Sequence, residues 1–257
     1  MNLGVLQGRL SPPVEGLMQE FPFTTWENEF SFLSKCDLKG IEWIITNKPN
    51  PFFTKELSKF PILSVCTDNI ISSFFTQPYF LEKELVPILE KMELHKIKNV
   101  VIPLLEKSSI TSSLSRKLFI ESILPIADKF SNLNFCFEFE CKIEDILELV
   151  NQRDNFYVTY DTGNITSFYG DSVDHSSLIK QLGNKIKNVH IKDRTFKAET
   201  VPFLLGDTNF TDIFSSLKSV NYTGNYILQL CREKPNNELD YMKHCSYIVK
   251  NLYNESI

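Results

Sequence analysis

The sequence contains no Cys-x-x-Cys pair, no run of lysines and arginines, and no stretch approaching the ~20 apolar residues that span a bilayer. The first absence removes the common thiol-based zinc and redox motifs. The second, with a net charge of −5, argues against a dedicated nucleic-acid or anionic-membrane binder. The third argues against a membrane protein. The N-terminal segment MNLGVLQGRLSPP has neither a basic leader nor an apolar core, so no secretory signal is read there. No G-x-G-x-x-G follows the first apolar run, which counts against a dinucleotide-binding open sheet. There is no internal repeat, low-complexity tract or linker, and residues 1–257 read as one domain. The six cysteines are Cys36, Cys66, Cys136, Cys141, Cys231 and Cys245. Three of them lie inside apolar runs, and all are expected to be reduced in a cytoplasmic protein.

What the chain does have is alternation. Short apolar runs fall at 3–7, 40–45, 62–67, 99–105, 134–140, 156–161, 186–191 and 226–231. Several are apolar throughout rather than every second residue, the pattern of parallel strands covered on both faces. Between them lie amphipathic segments. Residues 77–97 place Leu81, Leu85, Leu89 and Met92 on one face, with Pro78 at a first helical position. Residues 112–130, 142–152, 209–220 and 238–253 read the same way. Pro87 and Pro125 predict kinks or breaks in two of these helices. The short spacer between the second and third strands predicts one or two helical turns. Eight strands alternating with helices predict an α/β fold, a single (β/α)8 TIM barrel, with a doubly wound sheet as the alternative.

In such a barrel the carboxyl ends of the strands share one mouth, where active sites sit. Four consecutive strands end in polar groups there. The fifth ends in Glu138 and Glu140, and the sixth in Asp161. The seventh carries His190 and runs into Lys192, and the eighth carries Gln229. Taken singly, Asp161 is also explained by an Asx-turn, His190 by a hydrogen-bonded core position and Gln229 by a satisfied amide. Glu138 is harder to explain structurally, because burying a carboxylate within FCFEFE costs on the order of several kcal/mol unless a cation meets it. Two carboxylates, an imidazole and an amide oxygen together suit one divalent metal ion, namely Mn²⁺, Mg²⁺ or Co²⁺, with Zn²⁺ also accommodated.

The segments VLQGRLSPP, FPFTTWENEF, GIEWI, SVCTD, YDTGN, NVHIKDR and YILQLCRE resemble the xylose isomerase-like TIM-barrel superfamily, in particular its sugar phosphate isomerase/epimerase branch. The resemblance runs along essentially the whole chain, and YDTGN and NVHIKDR are its most specific parts. It implies one metal ion held from strands five to eight, and its ligand positions fall on Glu138, Asp161, His190 and Gln229. The sequence departs from the family in two places. The eighth-strand ligand is usually Glu, and here it is Gln229. The loop LLGDTNF has Leu204 and Leu205 where a Gly and a Glu are expected. In such epimerases two carboxylate ligands exchange protons on opposite faces of the substrate, and a Gln cannot take a proton at neutral pH.

These readings together predict a metal-dependent isomerase or epimerase of a small sugar, sugar acid or sugar derivative, working through an enediolate. Glu138 is expected as ligand and base, with Glu140 in reserve and Lys192 as a second acid. Gln229 favours chemistry that one base can complete. Arg9, Arg194 and Arg232 are expected to hold a substrate carboxylate or phosphate, and Asn164 to orient Asp161 or a hydroxyl. Trp26, Trp43, Phe74 and Phe75 are candidate walls, with core packing the simpler role for Trp43. Glu42 is either a rim residue or the buried partner of a cation. His95 and His244 are placed in helices and His175 in a loop, outside the site. The expected partner is a small-molecule sugar, with neither nucleic acid nor membrane, and a homo-oligomer is compatible with the sequence. Three other functions compete. An apurinic-site endonuclease would need several more strand-end histidines. A dehydratase would share the metal and the first proton abstraction. The third is a non-catalytic sugar- or metal-binding barrel.

Overall fold

A computed structural model describes residues 1–71, 79–232 and 236–256. Eight parallel strands close into one barrel in sequential order: β1 (Asn2–Leu6), β2 (Ile41–Ile44), β3 (Ile62–Cys66), β4 (Asn99–Leu104), β5 (Asn134–Phe139), β6 (Phe156–Asp161), β7 (Ile186–Ile191) and β8 (Asn225–Leu228). The closing pair is β1 with β8, in register from Asn2↔Asn225 to Val5↔Leu228. Each strand lies within a residue or a few of the apolar run that predicts it. The runs are continuously apolar because both faces are covered. Phe137, for example, is buried outward of the sheet against the edges of Phe119 and Phe156, with ring centroids 5.7 and 5.0 Å away.

The surrounding helices are α1 (Trp26–Phe32), α2 (Phe80–His95), α3 (Ser113–Lys129), α4 (Ile143–Val150), α5 (Thr162–Tyr169), α6 (His175–Leu182), α7 (Phe210–Ser219) and α8 (Glu238–Glu255). Between β2 and β3 there is a single 3-10 turn, Pro51–Phe53, in keeping with the short spacer. Two expectations need correcting. The breaks predicted at Pro87 and Pro125 do not occur, and α2 and α3 run through both residues. Both prolines are on the exposed face, where water can satisfy the carbonyls that each ring leaves unbonded. His175 is not in a loop but begins α6. It is buried, with Nδ1 2.7 Å from the Tyr160 hydroxyl and Nε2 3.1 Å from Thr166 Oγ1. Burial pushes its pKa down to about 4. Pro78, placed at the start of the helix before β4, and Phe74 and Phe75, proposed as walls, lie outside the described residues.

The barrel interior is not wholly apolar. Glu42 on β2 accepts hydrogen bonds at Oε2 from Ser64 Oγ on β3 at 2.7 Å and from Asn188 Nδ2 on β7 at 2.9 Å. A contact from β2 to β7 crosses the inside of the barrel, so this cluster forms a polar floor beneath the mouth. Trp26 and Trp43 lie outside it in an aromatic cluster, their rings 5.3 Å apart, and are core rather than pocket wall.

All six cysteines are buried, and none is in a disulfide. Thiol titration is expected to find six reactive groups in denaturant and few in the native protein. A disulfide in fresh material would contradict this arrangement.

Candidate metal centre

The segment YDTGN is built as a joint between β6, α5 and β7. Asp161 ends β6 and caps α5, its Oδ1 accepting from the Asn164 backbone N–H at 2.7 Å. The Asx-turn and the functional reading of Asp161 therefore both hold, because the cap uses one oxygen and leaves Oδ2 facing the mouth. Thr162 Oγ1 ties the joint to the next strand, bonding the Lys192 carbonyl at 2.7 Å and its N–H at 3.0 Å. At Gly163 a Cβ would stand 2.9 Å from Lys192 Cγ and 3.1 Å from Arg194 Cγ, so glycine is what lets both side chains pass over the helix start. Asn164 completes the joint. Its Nδ2 donates to Glu138 Oε1 at 2.7 Å, and its Oδ1 accepts from Lys192 Nζ at 3.2 Å and Arg194 NH1 at 3.0 Å. It thus orients Asp161 through its backbone N–H and Glu138 through its side chain.

Glu138, Asp161 and His190 bring one donor atom each within 4.8 Å of one another, all three residues buried, and form a group that could hold a metal ion. His190 Nδ1 lies 3.6 Å from Glu138 Oε2 and 3.7 Å from Asp161 Oδ2, while Nε2 pairs with Glu42 Oε1 at 2.8 Å. A carboxylate thus stands behind the far ring nitrogen, where such a group supports a ligating imidazole, although the pair is not aligned as a hydrogen bond. Glu42 is thereby the buried partner, not a rim residue. His190 Nδ1, Asp161 Oδ2 and Gln229 Oε1 are buried without a hydrogen bond, although Lys192 Nζ stands 3.1 Å from Asp161 Oδ2 as an ion pair. Two orphaned donor atoms beside Glu138, those of His190 and Asp161, fit a cation. Gln229 reaches the mouth just beyond β8, its N–H on the Ile191 carbonyl at 3.0 Å and its Nε2 on Gln19 Oε1 at 3.2 Å.

The electrostatics agree with a cation site. Burial pushes the Glu138 carboxyl above its usual range, against the opposing pull of His190. Burial acts the same way on Asp161, but Lys192 and His190 outweigh it and hold that carboxyl below its usual range. Burial works against an imidazolium at His190, yet Glu42 and Glu138 raise its pKa well above the ordinary value.

The group opens into a cavity of about 570 Å³ whose lining includes Glu138, Glu140, Asn164, Lys192, Arg194 and Gln229. Arg194 NH1 bonds Glu140 Oε1 at 2.7 Å, so Glu140 is engaged by a cation and not free as a base. Arg9 and Arg232 do not line the cavity. Arg9 donates from Nε to the Leu230 carbonyl at 2.8 Å and from NH1 to the Met18 carbonyl at 2.7 Å, and burial with Arg232 nearby lowers its pKa to about 10. Arg232 donates to the carbonyls of Met18 and Ser11, each at 3.0 Å. Both clamp the loop after β1 instead of facing a ligand. On the departing loop, Leu204 and Leu205 are exposed, and Gly206 sits where a Cβ would lie 2.2 Å from Asp193 Oδ1. Gln19 and Asp68 are among the cavity residues that escape the sequence reading. Gln19 carries no signal in its neighbourhood. Asp68 does, since it directly follows β3 and Thr67 as Asp161 ends β6.

Replacing Glu42 by Gln keeps the volume and removes the charge behind His190. Glu42→Gln is expected to weaken divalent-metal affinity ~10–100-fold with the fold intact. Calorimetric titration giving the parent affinity would show that Glu42 does not support a ligand.

A family model described as xylose isomerase-like TIM barrel matches residues 96–250, a span that carries Glu138, Asp161, His190 and Gln229. No curated protein matches the chain. Among solved structures, a D-allulose 3-epimerase from Methylomonas sp. is 12% identical over 98% of this chain and 98% of its own, with a TM-score of 0.73. An L-ribulose 3-epimerase is 13% identical over 99% of this chain and 95% of its own, with a TM-score of 0.73. A D-tagatose 3-epimerase-like protein is 16% identical over 99% of each chain, with a TM-score of 0.71. At such identities the likeness is one of fold. The family model covers well over half of the sequence, and the chain belongs to the xylose isomerase-like TIM barrel family.

Proposed function

We propose that the chain is a divalent-metal-dependent isomerase or epimerase of a small sugar. The observation that carries this reading is the buried Glu138–Asp161–His190 group, with unpartnered donor atoms on Asp161 and His190, next to a polar cavity that Glu138 lines and that is large enough for a monosaccharide. The names of the three similar structures described above, 3-epimerases of ketoses or like them, support the same class. Glu138, Asp161, His190 and Gln229 would hold the ion, which suits Mn²⁺, Mg²⁺, Co²⁺ or Zn²⁺ by donor type. When bound, it would act as a Lewis acid on a carbonyl oxygen and its neighbouring hydroxyl.

The protein's own groups would do the rest. Glu138 would take the proton from the carbon next to the carbonyl, its Oε1 steadied by Asn164 at 2.7 Å. Such a base contributes ~10²–10⁴ in rate. Lys192 and Arg194 are already paired with Asp161 and Glu140, and Arg9 and Arg232 with backbone carbonyls. With those cations engaged, an uncharged sugar fits better than a phosphate or an acid. Six cysteines without a disulfide suit a reducing, cytoplasmic setting.

The test is exchange of carbon-bound hydrogen in D₂O across a panel of neutral ketoses and aldoses, with metal added. The parent is expected to exchange at least one sugar, and Glu138→Gln to slow that exchange by ~10²–10⁴. Equal exchange in the two proteins would remove Glu138 as base, and no exchange at all would remove the enzyme. Gln229→Glu replaces an amide dipole by a negative oxygen and is expected to tighten metal binding. An unchanged affinity would mean that Gln229 is not a ligand.

A further inference from the structure

Gln229 differs from a carboxylate in more than charge. Its amide carries an acceptor oxygen and a donor NH₂ on one carbon, and a half-turn of the side-chain tip exchanges them. Only the oxygen suits a cation. A carboxylate presents oxygen either way round, whereas an amide needs a neighbour to choose its face.

The geometry points to Gln19 as the positioning residue that makes this choice, holding the Gln229 amide by its nitrogen so that its oxygen is left for the metal ion. This rests on the proposed metal-dependent reading, in which Gln229 is a ligand, and adds to it a residue from the loop after β1.

Groups of fixed polarity flank Gln19. On one side stands Asp68, whose Oδ1 is 2.7 Å from Gln19 Nε2. Burial raises the Asp68 carboxyl to about 6, so above that pH it is ionised and can only accept. On the other side stands Arg9, whose NH2 is 3.4 Å from Gln19 Oε1 and can only donate. Arg9 is itself anchored through Nε to the Leu230 carbonyl and through NH1 to the Met18 carbonyl. The reverse orientation of Gln19 would set its oxygen against the carboxylate and its NH₂ against the guanidinium. Both contacts would repel, so the Gln19 amide has one orientation.

That orientation passes to Gln229. Gln19 Oε1 accepts from Gln229 Nε2 at 3.2 Å, and an oxygen there can be met only by a donor. Gln229 therefore turns its nitrogen to Gln19 and keeps its oxygen free. Gln229 Oε1 is buried without a hydrogen bond, in a side chain that lines the same cavity as Glu138. A buried acceptor left empty is costly, and a cation would satisfy it. The polarity of the chain is thus set at Asp68 and Arg9, away from the ion, and read out at Gln229.

The test is a double-mutant cycle on metal affinity, measured by calorimetric titration with Mn²⁺ at pH 7.5. Its members are the parent, Gln19→Met, Gln229→Glu and the double variant. Gln19→Met keeps length and neutrality but removes both ends of the amide. Alone, it is expected to weaken metal binding ~10-fold or more, as loss of a group that supports a ligand does. Added to Gln229→Glu, it is expected to change affinity by no more than about twofold, because a carboxylate has no wrong face. Gln19→Ala, which cannot reach either neighbour, is expected to give the same pattern and serves if methionine is not accommodated. An equal loss in both backgrounds would make Gln19 a support for its loop and overturn the positioning role. No loss in the parent background would overturn it too. In a parent that binds metal, either result leaves the proposed function standing. A parent that binds no divalent metal would overturn both.

Discussion

The structure depends on one electrostatic arrangement: three buried carboxylates, Glu42, Glu138 and Asp161, around a single fully buried imidazole. Each carboxylate taken from water carries a desolvation cost of several kcal/mol, on the order of the effective values for buried ions. Lys192 offsets part of it for Asp161, and Ser64 and Asn188 offset part of it for Glu42. The rest falls on His190, whose pKa the carboxylates raise. A divalent ion would change that balance. It requires an unprotonated Nδ1, so it would displace a proton from the ring as it binds, and affinity would be coupled to pH. The polar floor of the barrel and the metal centre are thus one charge system seen from two sides.

This arrangement also explains why so much of the site could be read from the sequence. Parallel strands buried on both faces give continuous apolar runs, so their ends stand out wherever a carboxylate or imidazole interrupts them. Glu138, Asp161 and His190 are such interruptions, and the barrel closure brings them together. The helices were less legible where a strand runs straight into one. α5 begins at Thr162 immediately after Asp161, and its TGNITSFY reads as a turn until the cap at Asp161 Oδ1 is seen. Gly163 and Asn164 have roles fixed by Lys192, Arg194 and Glu138, from two other strands or their ends. No local pattern carries such information.

The arginines show the opposite error. A cation near a strand end invites an anionic ligand, and Arg9 and Arg232 were read that way. Both follow strands, but neither lines the cavity: Arg9 bonds the Leu230 and Met18 carbonyls and reaches Gln19 Oε1 at 3.4 Å, and Arg232 bonds the Met18 and Ser11 carbonyls. A guanidinium with several donors is as well suited to clamping backbone as to binding a carboxylate, and only the direction of the side chain decides. The clamp has a use at the site. Arg9 and Arg232 hold the Met18 carbonyl, and Gln19, the next residue, reaches Gln229 and Asp68.

An amide among the ligands has a physical consequence. A carboxylate bound to a divalent cation holds a proton poorly, because the cation favours its ionised form. With an amide at Gln229, a bound ion would meet two formal negative charges, from Glu138 and Asp161, rather than three, which would make it a stronger Lewis acid and a less tightly held one. In a barrel with Glu at that position, one residue would have to serve both as a good ligand and as a good proton donor.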